Sequence, residues 1–320
     1  MKMTVVGCGR WGSFIGWYLD QIGHQVTFYG PENAADMQTY KKTRTNGIVT
    51  LRESIGLSSD LNEALTADAI VISIPSQALR GFLSEVLATG CDISQKKFIL
   101  CMKGLEIETG KRLTEVFEDV TGSADNVAVW IGPGHVQEFV KGVPNCMVID
   151  SKNDALKTQL IDAFKSKLIR FYYGTDLIGN EIGAASKNVI GIAAGILDGI
   201  GTSSLKGALM SRGTREISRL IEACGGNGLS AYGLCHLGDY EATVFSKYSH
   251  NRAFGEMFAK NETFPALAEG YYTAKAIVNL AKMKNVDLPI CSAVYRLLYE
   301  KTDLQEELNG LFLRSLKSEL

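Results

Sequence analysis

The sequence predicts an α/β N-terminal Rossmann-type domain with a mainly parallel sheet, followed by an all-α C-terminal domain. Three observations predict it. Short apolar runs alternate with helical patterns through the first half of the 320 residues. A glycine-rich turn, Gly7-Cys-Gly-Arg-Trp-Gly12, follows the first of these runs, and strand patterns cease after about Asp176. The expected division is residues 1–178 for a dinucleotide-binding domain and 179–320 for a helical substrate and catalytic domain.

The expected strands are Thr4–Val6, Gln25–Tyr29, Ala69–Ile74, Phe98–Cys101, Val127–Ile131, Cys146–Ile149 and Ile169–Tyr173, short apolar runs of the kind that a sheet covered on both faces requires. Past the boundary, Lys206–Ala223, Gly270–Lys284 and Ile290–Lys301 carry apolar residues at spacings of three and four, the period of a helix with one buried face. Arg212 and Glu216, four apart in one of these stretches, read as a structural ion pair or an interface element.

The stretch Glu181–Asp198 is small or apolar apart from Lys187 and Asn188. Burying an unpaired ammonium costs several kcal/mol. On a helix, Lys187 shares a face with Gly183, Gly191, Ala194 and Asp198, so the lysine's face is pared down and something can approach it. Taken alone, the segment fits two readings: a functional lysine, or close helix packing with a lysine that reaches solvent.

Composition narrows the classes. A hydrophobic content of 46% fits a soluble globular protein, and a net charge of −2 argues against a nucleic-acid partner. No cationic stretch followed by an apolar one opens the chain, so export is not expected. The weakly polar run 182–201 is long enough to span a bilayer, but Lys187, Asn188 and Asp198 make it a buried soluble helix rather than a span. Seven cysteines with no Cys-x-x-Cys pair and no nearby histidine cluster imply no metal site, no disulfide framework and a cytoplasmic location.

The Gly7–Gly12 turn sits between a strand and an amphipathic helix, the setting in which Gly-x-Gly-x-x-Gly binds a dinucleotide. The first glycine makes the turn, the second admits the pyrophosphate, the third lets helix and strand close up, and the helix N-terminus faces the phosphates. The cofactor is expected to be NAD or NADP. Phe28-Tyr-Gly-Pro-Glu32 carries no cation for a 2′-phosphate, and Glu32 can accept from a ribose hydroxyl, which favours NAD; Lys41, Lys42 and Arg44 keep NADP open. Hydride chemistry also needs a proton donor and a substrate holder, and Lys103, Lys187, Asn188 and Asp239 are the candidates. Asp239 also fits as the cap of a helix starting near Tyr240.

In this order, Gly7–Gly12, Ile74-Pro-Ser76, Lys103-Gly-Leu-Glu106, Gly132-Pro133, Gly183-Ala-Ala-Ser-Lys-Asn-Val-Ile190, Asp198-Gly-Ile-Gly201, Leu237-Gly-Asp239 and Glu269-Gly270 resemble NAD(P)-dependent glycerol-3-phosphate dehydrogenase over nearly the whole chain. The resemblance implies interconversion of dihydroxyacetone phosphate and sn-glycerol 3-phosphate, feeding glycerophospholipid synthesis. It implies Lys187 as general acid and base, with Lys103, Asn188 and Asp239 in the catalytic set. Gly132, Thr243, Ser249, His250 and Asn251 would join Lys103, Lys187 and Asp239 around a small phosphorylated substrate. Gly7, Gly9, Arg10, Trp11, Gly12, Glu32, Pro75, Lys103 and Glu269 would hold the cofactor, and a homodimer is the candidate assembly. The chain departs from the family at Gly134, where a hydroxyl is usual, and at His250, where an arginine is usual. Arg252 next door is an alternative phosphate holder. These departures keep open a different polyol phosphate or a small 2-oxo acid as substrate, and a non-catalytic NAD-binding protein is the reading from another class.

Overall fold

The computed structural model describes residues 1–316 and 318. Its contacts divide the chain into two compact units: residues 1–103 with 111–181, and residues 104–110 with 182 onward.

In the first unit the order is β1 (Lys2–Val6), α1 (Arg10–Gln21), β2 (Gln25–Tyr29), α2 (Ala35–Thr43), β3 (Gly56–Ser58), α3 (Leu61–Ala64), β4 (Ala69–Ile72) and α4 (Leu79–Ala88). It continues with β5 (Lys97–Leu100), α5 (Leu113–Thr121), β6 (Val127–Ile131), α6 (Val136–Val140), β7 (Asn145–Asp150), α7 (Asp154–Phe164) and β8 (Ile169–Tyr173). The strands form one sheet in the order β3-β2-β1-β4-β5-β6-β7-β8. Every pair is parallel except β6 with β7, where Trp130 stands opposite Ile149.

Residues 69–72 of β4 and 127–131 of β6 are buried without alternation, which is why these strands read as continuous apolar runs. Two details differ from expectation. The strand at Ala69 stops at Ile72, because the chain turns toward Pro75, which has no N–H for a ladder. β3 is an addition, three residues paired with β2 and too short to show a period. Next to the sheet, Phe14 of α1 stacks on Phe139 of α6 with ring centroids 4.6 Å apart. Glu181 is buried against the start of α5, where its Oε1 accepts from the Thr114 N–H at 3.0 Å and its Oε2 from Arg112 at 2.6 Å. The paired guanidinium and amide compensate a carboxylate that burial alone would make costly.

The second unit follows from α8 (Leu177–Gly199), whose first turn belongs to the first unit, through α9 (Lys206–Ala223), α10 (His250–Ala259), α11 (Glu269–Lys284), α12 (Pro289–Tyr295) and α13 (Leu304–Phe312). Small residues let these helices approach closely. A Cβ on Gly195 would stand 1.9 Å from the Arg252 carbonyl oxygen, so α8 and α10 meet backbone to backbone. Between α9 and α10 the chain is irregular, with a 3₁₀ turn at Leu237–Asp239 and a π turn at Glu241–Phe245. Among the described residues no helix is long and apolar enough to cross a membrane.

Beyond its helical neighbour Arg212, Glu216 has partners that its spacing does not indicate. Its two oxygens accept from the N–H groups of Ile290 and Cys291, both at 2.9 Å, at the start of α12. Glu216→Ala would strand both buried donors and is expected to lose about 2–5 kcal/mol in urea unfolding, with a smaller loss for Glu216→Gln. Burial raises the Glu216 carboxyl above its ordinary range. Its share of stability is therefore full below the ordinary carboxylate titration and declines as pH rises through the raised one. The Gln variant should lack that decline.

Candidate active site

In the first unit, the site residues gather where the parallel strands end. The sheet order reverses between β1 and β4, the switch point at which ligands lie against the carboxyl ends of strands. Gly7 leaves β1 with φ +99°, and a Cβ there would meet the Ser73 carbonyl oxygen at 2.3 Å. A Cβ on Gly12 would meet the Gly7 carbonyl oxygen at 2.1 Å, so the turn closes only without side chains at both positions. Gly9 caps α1, and no acidic residue occupies the helix's first turn. Arg10 opens that helix, and burial lowers its guanidinium from its ordinary value. A cation at a helix N-terminus opposes the helix dipole, so this placement suits a bound anion.

Pro75 follows β4 and precedes a 3₁₀ turn. Lys103 follows β5, donates from Nζ to the Gly132 carbonyl at 2.7 Å and lies 5.8 Å from the centroid of the Trp11 ring. Three strand ends thus bring Trp11, Lys103 and Gly132 together. Glu32, past the end of β2, pairs with Lys41, and Gln38 donates to the Glu32 carbonyl oxygen at 2.6 Å. The ribose acceptor and the phosphate cation weighed as alternatives are therefore one ion pair. Arg44 is committed elsewhere, donating to the Ile55 carbonyl at 2.7 Å. The residues of this turn fit a dinucleotide: close-approach glycines, a helix N-terminus with no side-chain cap and a basic residue beside it.

In the second unit, Lys187 lies on α8 with its side chain 10% exposed, and its Nζ sits 2.8 Å from Asp239 Oδ2. Nζ also donates to Thr243 Oγ1 at 2.8 Å, and Thr243 donates its own proton to the Asp239 carbonyl at 2.7 Å. That assignment turns the threonine lone pairs toward the ammonium. A Cβ on Gly191 would stand 2.7 Å from Thr243 Cγ2, so the pared face of α8 admits Thr243. One turn away, Asn251 Nδ2 donates to Asn188 Oδ1 at 3.0 Å while Asn251 Oδ1 accepts from the Gly270 N–H at 2.9 Å. Both amide orientations follow from that backbone donor.

The remaining expected residues fall nearby on the same unit. Ser249 caps α10, accepting from the Arg252 N–H at 3.3 Å. His250 opens α10, exposed, with Nδ1 3.2 Å from the Leu267 carbonyl oxygen and its ring edge-on to Phe264. Glu269 is the first residue of α11. Arg252 is engaged away from these groups: Nη1 donates to Asp198 at 2.6 Å and Glu256 at 2.9 Å, and Nε to the Ser246 carbonyl at 3.1 Å.

Two features here were not read from the sequence. Asp198 gathers Lys206 at 2.7 Å, Arg252 at 2.6 Å and Ser203 at 2.6 Å, and Lys206 also donates to the Val244 carbonyl at 3.0 Å. His236 and Tyr240 form a fully buried hydrogen-bonded pair. The Asp198 contacts to Ser203 and Lys206, five and eight residues on, cross a loop and leave no periodic signal, whereas His236 and Tyr240 carry the i, i+4 spacing of a helical pair. Among the described residues no group of three or more His, Cys, Asp or Glu side chains could hold a metal ion.

Family models match both parts of the chain: the N-terminus of NAD-dependent glycerol-3-phosphate dehydrogenase over residues 2–157 and its C-terminus over residues 176–309. The chain belongs to that family. A glycerol-3-phosphate dehydrogenase [NAD(P)+] of Prosthecochloris aestuarii is 36% identical, with all of both chains covered. One of Chlorobium phaeobacteroides is 37% identical, covering 100% of this chain and 99% of the relative. The crystal structure of glycerol-3-phosphate dehydrogenase from Coxiella burnetii has 26% identity and a TM-score of 0.91, covering 98% of this chain and 99% of that one. As in the rest of the family, the cofactor is NAD or NADP.

The Asp198 hub makes an acid-stability prediction. Burial raises its carboxyl, but Lys206, Ser203 and Arg252 outweigh burial and hold it below its ordinary range. A depressed carboxyl contributes stability that is full above the ordinary carboxylate titration and is lost as pH falls through the depressed value. Asp198→Asn should melt lower at pH 7 by scanning calorimetry and show a flatter loss of melting temperature on acidification.

Proposed function

We propose that this chain reduces dihydroxyacetone phosphate to sn-glycerol 3-phosphate, and catalyses the reverse oxidation, with Lys187 as the general acid and base. The observation that carries this reading is an ammonium buried on α8 between a carboxylate and a hydroxyl. A protein that only binds a dinucleotide has no use for such a group. The names of the relatives favour this substrate over another polyol phosphate or a 2-oxo acid.

The first unit's Gly7, Gly9, Arg10, Trp11, Gly12, Pro75 and Lys103 are assigned to the cofactor. When bound, its nicotinamide supplies or accepts the hydride. NAD is the preferred form in this reading, because the carboxylate of Glu32 stands at the end of β2 and Lys41 is spent on neutralising it. In reduction, the substrate carbonyl oxygen becomes an alkoxide and takes a proton from Lys187 Nζ. In oxidation, the amine takes the hydroxyl proton back. Asp239 and Thr243 hold the nitrogen in line, and Asn188 and Asn251 present preset amides to the substrate.

The phosphate is assigned to the first turn of α10, where Ser249, His250 and Asn251 stand at a helix N-terminus that favours an anion. The bonds of Arg252 to Asp198, Glu256 and the Ser246 carbonyl favour His250 over it in that role. Free cysteines throughout the chain fit a cytoplasmic protein, and glycerophospholipid synthesis would consume the product. Exposed Phe312, Leu313 and Leu316 offer apolar surface for a homodimer.

Turnover of NADH or NADPH with a panel of small carbonyl substrates tests the reading, and activity confined to substrates other than dihydroxyacetone phosphate would overturn it. Lys187→Met is expected to lower kcat about 10²–10⁴-fold while NADH binding, followed by fluorescence, is retained. A histidine gives phosphate a weaker and less directed partner than a guanidinium. His250→Ala should therefore raise KM for dihydroxyacetone phosphate with little change in kcat, and His250→Arg should lower it.

A further inference from the structure

His236 and Tyr240 lie in the irregular stretch that carries Asp239 and Thr243, and both are 0% exposed. His236 Nδ1 is 2.8 Å from the Gly183 carbonyl oxygen, on α8 one turn before Lys187. A carbonyl only accepts, so Nδ1 carries the proton and Nε2 offers a lone pair. Tyr240 Oη stands 2.7 Å from Nε2 and is therefore the donor. The two rings meet edge to face with centroids 4.9 Å apart. Gly183 makes the approach possible: a Cβ there would lie 3.1 Å from His236 Cβ.

This chain of bonds has a direction. It runs from the Tyr240 hydroxyl to His236 and from His236 to the backbone of the lysine helix. Asp239 is the residue before Tyr240, and its N–H donates to the His236 carbonyl at 3.0 Å. The Thr243 N–H in turn donates to the Tyr240 carbonyl at 3.0 Å. Both groups that hold Lys187 are thus tied by backbone bonds to the pair that anchors the stretch on α8. Burial pushes the His236 imidazole down to about 4, so the neutral form with a proton on Nδ1 persists at working pH.

We infer that His236 and Tyr240 are positioning residues for the acid–base lysine: together they pin the Asp239–Thr243 turn to α8 and so set the carboxylate and hydroxyl against Lys187 Nζ. The inference rests on the proposed role of Lys187. Neither residue touches substrate in this account, and their contribution is the geometry of the groups that do.

Tyr240→Phe keeps the ring and removes the donor. It is expected to lower kcat about tenfold, the order of effect that a misplaced general acid produces. KM for dihydroxyacetone phosphate should stay within about twofold, and the basic limb of the kcat profile should move to lower pH, since an ammonium less well held by Asp239 gives up its proton more readily. The double variant His236→Leu/Tyr240→Phe replaces both buried partners by apolar groups, which restores much of the stability lost when one partner is removed. Positioning predicts that its melting temperature recovers while kcat stays low. Recovery of kcat together with melting temperature, or wild-type kcat in both variants, overturns the inference.

A readout independent of turnover separates this inference from the proposed function. The Lys187 ammonium, followed by nitrogen-15 NMR, should titrate at lower pH in Tyr240→Phe than in the wild type, and an unmoved titration counts against positioning. A wild-type protein inactive on dihydroxyacetone phosphate would overturn the proposed function, while the lysine titration would still decide the positioning role.

Discussion

Placing one ammonium in an apolar helix constrains most of the second unit. An unpaired cation at Lys187 would cost several kcal/mol, so a carboxylate and a further acceptor must come within hydrogen-bond distance. Asp239 and Thr243 meet that demand, both within 2.8 Å of Nζ. A regular α-helix places neighbours three and four residues apart on one face, and the chain here departs from it through a 3₁₀ turn followed by a π turn. Asp239 and Thr243, four apart, still present Oδ2 and Oγ1 to the same nitrogen, with the Thr243 proton spent on the Asp239 carbonyl. Irregular backbone in a buried place must find other anchors, and it has two: the His236 bond to Gly183, and the Asp198 hub that reaches Val244 and Ser246 through Lys206 and Arg252.

The first unit answers to a different constraint, the close approach of backbone to a ligand. Parallel strands end on one edge, so residues far apart in sequence, Trp11, Lys103 and Gly132, become neighbours by topology alone. The Gly7–Gly12 turn then works by omission. Carbonyl oxygens occupy the space that side chains at Gly7 and Gly12 would need, and α1 begins after Gly9 with no side chain capping it. Arg10 at the head of that helix is placed against the dipole, a cost that a bound pyrophosphate would offset.

Much of this was legible because burial leaves a pattern. Strands covered on both faces appear as unbroken apolar runs, and Lys187 stands out because it interrupts one. Direction leaves no such trace: the run at Cys146–Ile149 reads the same whether β7 is parallel or antiparallel to β6. The three residues of β3 are too few to carry a period. Partners across space were the least legible. Locally, Asp239 looks like a helix cap, Glu32 and Lys41 look like rival cofactor contacts, and Arg212 with Glu216 looks like a helical ion pair. In the fold, each acidic member of these sets takes a partner that sequence spacing does not indicate: Asp239 takes Lys187, Glu32 takes Lys41, and Glu216 takes two backbone amides.

The neutrality of His236 matters to the same lysine. A second cation in the dry space beside α8 would repel the ammonium, and burial, aided by the proximity of Lys187, keeps the imidazole uncharged down to about pH 4. The carboxylate of Asp239 acts in the opposite sense, because an anion at hydrogen-bond distance favours the protonated amine. The two effects act on one nitrogen, and the geometry sets the carboxylate nearest to it, 2.8 Å away. A neutral histidine can anchor the turn without disturbing that balance, whereas a lysine or arginine in its place would weaken the charge it helps to position.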